Sequence, residues 1–178
     1  MLGAGAIITS SGSFRGLTAA VTPGRSATSF HYSGLALDLA TTSGMRDPRV
    51  DPFIVTAEGN LWRVWARSDQ GLEQRLDAVV WANGATRTQT VEARVLDFTA
   101  LAASHGFRRI GRRSDFPGNY LSAEWWHFQC EELLVPWISQ FGIELLSLQR
   151  YNEPHLQAAP RIWENRKKIF KRGRGGWH

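Results

Sequence analysis

The 178 residues contain one cysteine, Cys130, so no intramolecular disulfide can form and the core must hold the fold. Cys130 reads as a small buried apolar residue beside a Trp-rich segment. No apolar run reaches the ~20 residues needed to span a bilayer, so no membrane span is expected. The amino terminus has no basic segment ahead of its short apolar run, which makes it a poor signal peptide. Internal repeats are absent, and no nucleic-acid-binding module is present, so nucleic acid is not an expected partner.

What is there is the composition of a soluble globular protein, with 43% hydrophobic and 21% charged residues. The length suits one domain. Eight Trp are unusual for this size; they fit either a large core or a shallow groove for peptides or sugars. Lys and Arg number 21 against 16 Asp and Glu, a formal charge of +5, which favours acidic partners. Much of the excess lies in residues 161–178, leaving the body near neutral. The chain therefore divides into a domain over 1–155 and a basic tail over 156–178 that is solvated or contacts an anionic surface or partner.

Residues 6–9 predict a short strand entering a Ser/Gly-rich turn over 10–15. Leu35 to Ala40 alternate large and small side chains, which places Leu35, Leu37 and Leu39 on one face and Ala36, Asp38 and Ala40 on the other. Strands are expected at 53–56, 61–67, 76–82 and 89–96. A turn around Ser68 to Gly71 would fold the middle two into an antiparallel meander. Asp97 is a credible N-cap for a helix from Phe98 to His105, stopped by Gly106. Residues 107–110 return to the sheet, 112–120 form a polar loop, and 123–129 are expected to be extended. Helical spacing over 131–140 and 143–149 is interrupted near Pro136 and Gly142. Strands and helices mix without βαβ alternation, which predicts an α+β fold with a mainly antiparallel sheet and helices packed on it.

Chemistry-bearing residues concentrate in two places. The first holds Ser29, His31, Gly34, Ala36 and Asp38; the second holds Glu124, Trp125, Trp126 and His127. Two imidazoles and a carboxylate suit a catalytic zinc site, in which three protein ligands leave a fourth position for water. A further carboxylate near the last imidazole is the usual proton acceptor. Each histidine alone reads more simply as a core or surface residue; their joint occurrence with the carboxylates carries the metal reading. His105 suits a helix C-terminus, while His155 and His178 read as loop and terminal residues.

The spacing Ser-x-His-x-x-Gly-x-Ala-x-Asp, followed far downstream by Glu-x-x-His, resembles the zinc D-alanyl-D-alanine peptidases: D,D-carboxypeptidases, D-Ala-D-Ala dipeptidases and phage L-alanyl-D-glutamate endopeptidases. The resemblance covers about residues 7–150. It implies a hedgehog-like fold, one Zn2+ held by His31, Asp38 and His127, and Glu124 as the general base. It also implies that Arg15, in a Ser/Gly-rich segment ahead of the first motif, stabilises the oxyanion of a tetrahedral intermediate. Ser29 either hydrogen-bonds substrate or holds its loop. Trp125 and Trp126 look more like the dipeptidase branch; on an extended segment one indole would face the core and the other, Trp126, would flank the cleft. Only 28 residues precede the first motif, fewer than in many members. The expected activity is hydrolysis of peptidoglycan stem peptides next to D-amino acids, in a bacterial cytoplasm or delivered to the wall by a phage. A non-catalytic module using the same ligands is the alternative.

Overall fold

The computed structural model describes residues 10–13 and 30–132. The strand expected at 6–9, Arg15, Ser29, nearly all of the helical spacing at 131–149, and the basic tail lie outside the described residues. Two small antiparallel sheets and one main α-helix make an α+β fold. One sheet has the order β1-β2-β7-β6, with β1 Ser10–Gly12, β2 Ala36–Leu39, β6 Arg108–Arg109 and β7 His127–Gln129. The other has the order β3-β4-β5, with β3 Phe53–Glu58, β4 Leu61–Ala82 and β5 Ala85–Asp97. The described residues fall into two units, 10–12 with 38–128, and 13, 30–37 and 129–132; the division falls within β2, after Leu37, and within β7, after Phe128.

In the larger unit the sequence pattern and the structure part company at Ser68 to Gly71. The polar run predicts a chain reversal, yet β4 continues through it as one strand of 22 residues. Val95 of β5 is registered with both Arg67 and Leu72, so the residues between them are an insertion in one strand and not a hairpin turn. Their turn chemistry is spent locally: the Gln70 amide donates to Ser68 Oγ at 3.2 Å. Gly71 lies so close to the β5 backbone that a Cβ there would sit 2.4 Å from the Val95 carbonyl oxygen. Only glycine permits that approach. Beyond the insertion β4 borders β3 again, since Thr56 is registered with both Arg63 and Ala78. Between these strands Ile54, Leu76, Ala78, Val91, Ala93 and Val95 form a buried apolar cluster, with Trp65 packed against it.

The helix forms as its sequence predicts. Asp97 caps α1, Phe98–Ser104, by accepting a hydrogen bond from the Ala100 amide at 2.9 Å, which satisfies one of the orphan donors of the first turn. His105 is the C-cap, and its side chain is exposed. Phe98 is the buried anchor, with its ring 5.1 Å from Phe128 and 6.0 Å from Phe53.

Two further segments differ from expectation. Ser10 to Gly12, read as a turn, is the edge strand β1, paired with β2 through Ser10–Leu39 and Gly12–Asp38 across an irregularity. Ser10 Oγ bridges that irregularity, donating to the Asp38 carbonyl at 2.8 Å and accepting from the Gly12 amide at 3.0 Å. The extended segment expected over 123–129 is shortened to β7, because Trp125 and Trp126 occupy a turn closed by the His127 amide on the Glu124 carbonyl at 3.1 Å.

That turn is tied to β4. The Trp62 indole, 2% exposed, donates to the Ala123 carbonyl at 2.6 Å. Trp62→Phe keeps most of the apolar volume but leaves the buried carbonyl without this donor. The expected cost is about 1–3 kcal/mol, read from the urea midpoint of the full chain. A midpoint equal to wild type would show that the bond holds nothing.

In the smaller unit Phe30, Leu35 and Ala36 form a buried cluster. The Cys130 amide donates to the Leu35 carbonyl at 2.8 Å, and Cys130 is buried and in no disulfide, as its sequence setting suggests.

Candidate metal centre

His31 is carried by a 3-10 turn, Phe30–Ser33, closed by the Leu35 amide on the Phe30 carbonyl at 3.2 Å. Gly34 ends the turn with φ +71, a left-handed conformation that a side chain would strain. The motif's glycine thus serves the exit of the turn. Ala36, two residues on, is 1% exposed and is packed with Phe30 and Leu35. His31 itself is 4% exposed, and its Nδ1 lies 3.2 Å from the Ser13 carbonyl. A carbonyl only accepts, so Nδ1–H is the donor, and Nε2 is the nitrogen left to a ligand role. An outer hydrogen bond of this kind is what orients an imidazole for metal binding in known sites.

Asp38 and His127 are 89 residues apart in sequence and adjacent in space. The pairing of β2 with the end of the Trp125–Trp126 turn brings them together: the Leu39 amide donates to the Trp126 carbonyl at 3.0 Å. His127 Nδ1 lies 2.8 Å from Asp38 Oδ1. Asp38 is only partly buried, with 21% of its side chain exposed against 10% for His127. One ligand atom from each of His31, Asp38 and His127 lies within 4.8 Å of the others. The three make a buried His/Asp/His cluster capable of chelating a metal ion. Two imidazole nitrogens and a carboxylate oxygen are a donor set that zinc accepts at ~2.0–2.2 Å, and three protein ligands are the number a catalytic site uses.

Glu124 lies three residues before His127 and is 7% exposed. Its φ is +55, in the left-handed region that non-glycine residues seldom occupy. Its backbone is fixed on both sides, by Trp62 on the Ala123 carbonyl and by the His127 amide on its own carbonyl. Its carboxylate forms an ion pair with the Arg113 guanidinium. The motif spacing gives no hint of Arg113; the sequence signal available was two consecutive arginines, Arg112 and Arg113, opening the polar loop ahead of the second motif.

Both indoles of the second motif are buried, Trp125 at 1% and Trp126 at 4% exposure. Because the segment turns, they do not point to opposite faces. Their rings meet edge to face 5.6 Å apart, and Trp126 also packs against Tyr120 at 5.5 Å. The Tyr120 hydroxyl accepts from the Trp125 indole at 3.1 Å and donates to the Thr41 carbonyl at 2.5 Å. Burial pushes the Tyr120 hydroxyl above its ordinary pKa, so it stays a neutral donor across the physiological range. Arg15 and Ser29 are not among the described residues.

No family model, curated protein or solved structure matches the chain. The class that fold and site define is therefore coarse: an α+β protein with a candidate metal-binding triad. No helix among the described residues is long and apolar enough to cross a membrane.

Proposed function

We propose that this chain is a zinc-dependent peptidase that hydrolyses peptide bonds next to D-amino acids in peptidoglycan stem peptides. The observation that carries the reading is the convergence of His31, Asp38 and His127 within 4.8 Å, in a chain whose two motifs resemble those of the D-alanyl-D-alanine peptidases. A zinc ion held by His31, Asp38 and His127 would supply Lewis-acid polarisation of the scissile carbonyl and would acidify a water. Glu124 would take the proton of the attacking water and return it to the leaving amine. Arg15 stabilises the developing oxyanion, its guanidinium matching that charge. Ser29 hydrogen-bonds the substrate. Trp126, at 4% exposure, backs the site as apolar packing instead of offering an open stacking surface.

The setting proposed for this activity is a bacterial cytoplasm or a phage particle that delivers the chain to the wall. The basic tail at 156–178 would favour an anionic wall polymer.

The test is product identification by mass after zinc-loaded protein is incubated with D-Ala-D-Ala, a pentapeptide stem and intact sacculi. Release of D-Ala from D-Ala-D-Ala marks a dipeptidase, release of D-Ala from the pentapeptide a carboxypeptidase, and release of larger fragments from sacculi an endopeptidase. Zinc binding with no cleavage of any of the three would refute the peptidase reading in favour of a non-catalytic metal-binding module.

A further inference from the structure

We infer that Arg113 is a positioning residue for Glu124, an inference that rests on the reading of Glu124 as the general base. A buried carboxylate needs a partner, because an unpaired charge away from water is expensive. Arg113 is that partner, and the pair is asymmetric: 9% of the Glu124 side chain is exposed against 52% of the Arg113 side chain. Little of the guanidinium's hydration is given up, so the full desolvation penalty of a buried ion pair does not arise. The contact is to Oε1 of Glu124. The contact restrains the carboxylate at Oε1, and Oε2 is the oxygen this proposal assigns to take the proton of a water.

The backbone around the pair is arranged to keep it in register. The Arg113 amide donates to the Ser122 carbonyl at 2.8 Å, and the Arg113 carbonyl accepts from the Phe116 amide at 3.2 Å. Ser122 stands two residues before Glu124, so the origin of the arginine side chain is tied directly to the segment that carries the glutamate. Glu124 is held in a left-handed conformation, from which its side chain leaves the backbone in a direction an ordinary extended or helical residue would not take. A residue placed in that way, with one guanidinium at one oxygen, has its carboxylate orientation set by Arg113 and not by rotamer preference alone. Such an outer partner affects the chemical step more than substrate binding.

The test uses the full chain loaded with zinc and a stem peptide that the wild type cleaves. Arg113→Ala is expected to lower kcat by about 10–100-fold with KM within about twofold of wild type, and with zinc content and circular dichroism unchanged. Added guanidinium at millimolar, non-denaturing concentration is expected to restore part of the lost kcat in Arg113→Ala and none in Glu124→Gln. Arg113→Lys, which keeps the charge and loses the fork, is expected to fall between wild type and Arg113→Ala; it also serves if the alanine variant does not fold. Unchanged kcat in Arg113→Ala overturns the proposal, as does a loss of kcat that follows loss of zinc or of folded signal and resists guanidinium. A wild type that cleaves nothing overturns the assignment of Glu124 and this proposal with it, whereas an active wild type with an unimpaired Arg113→Ala overturns this proposal alone.

Discussion

Glu124→Gln is expected to bind zinc with wild-type stoichiometry and to lose about 10²–10⁴-fold in kcat, the range that a positioned general base contributes. Glutamine fills the same volume, so the turn through Trp125 and Trp126 keeps its packing, and the His/Asp/His cluster does not include the side chain being changed. What disappears is the lone pair that accepts the water's proton. The Arg113 partner is left facing an amide, which is tolerable because its guanidinium is half in solvent. Metal content by elemental analysis and turnover on a cleaved stem peptide check the two halves of the expectation. Retained turnover in a metal-replete variant would remove Glu124 from the mechanism, and loss of zinc would instead make it a ligand or a structural support of the ligands.

The second large effect concerns the ligands. Asp38→Ala and His127→Ala should each abolish stoichiometric zinc binding, because each takes one donor from a set of three. Zinc that binds only the folded state stabilises it by RT ln(1 + [L]/Kd), about 2.7 kcal/mol at a hundredfold excess over Kd. For a domain of this length that corresponds to a rise in Tm of about 5–10 °C. Wild-type protein should therefore lose that increment on chelation and regain it when zinc is returned, while the two variants melt at one temperature with and without zinc. His105→Ala, at an exposed helix end, should keep the wild-type response. A zinc-dependent Tm shift in Asp38→Ala would mean that the metal sits elsewhere.

Much of this arrangement was legible in the sequence because its signals are local. Asp97 and Gly106 bracket α1 through capping and left-handed exit geometry, and both work over a few residues. The alternation in β2 and the apolar content of β3 and β5 identify strands for the same reason. The residues of the His/Asp/His cluster were legible because their spacing resembles a known pattern, though the pattern says nothing of how they meet. The parts that were not legible depend on tertiary contacts. Ser68 to Gly71 have turn chemistry, and the approach of Val95 to Gly71 makes them an insertion within one strand. Trp125 and Trp126 have strong strand propensity, but a hydrogen bond from Trp62, 61 positions away, helps hold the residue before Glu124 and the chain turns instead. Arg113 finds Glu124 through a loop whose path no periodicity describes.

The 89-residue separation of Asp38 and His127 also bears on how the proposed site would take up a metal. Closing so long a loop by itself is entropically slow. Here the intervening chain contains a β-hairpin of neighbouring segments, β4 and β5 joined at Asn83 and Gly84, whose formation would shorten the effective loop. Assembly of the Asp38–His127 pair would then follow the hairpin. Damage to β4, well away from the ligands in sequence, would reach the metal as slower uptake and weaker retention, so zinc release kinetics would report on the folding of a sheet that supplies none of the ligand atoms.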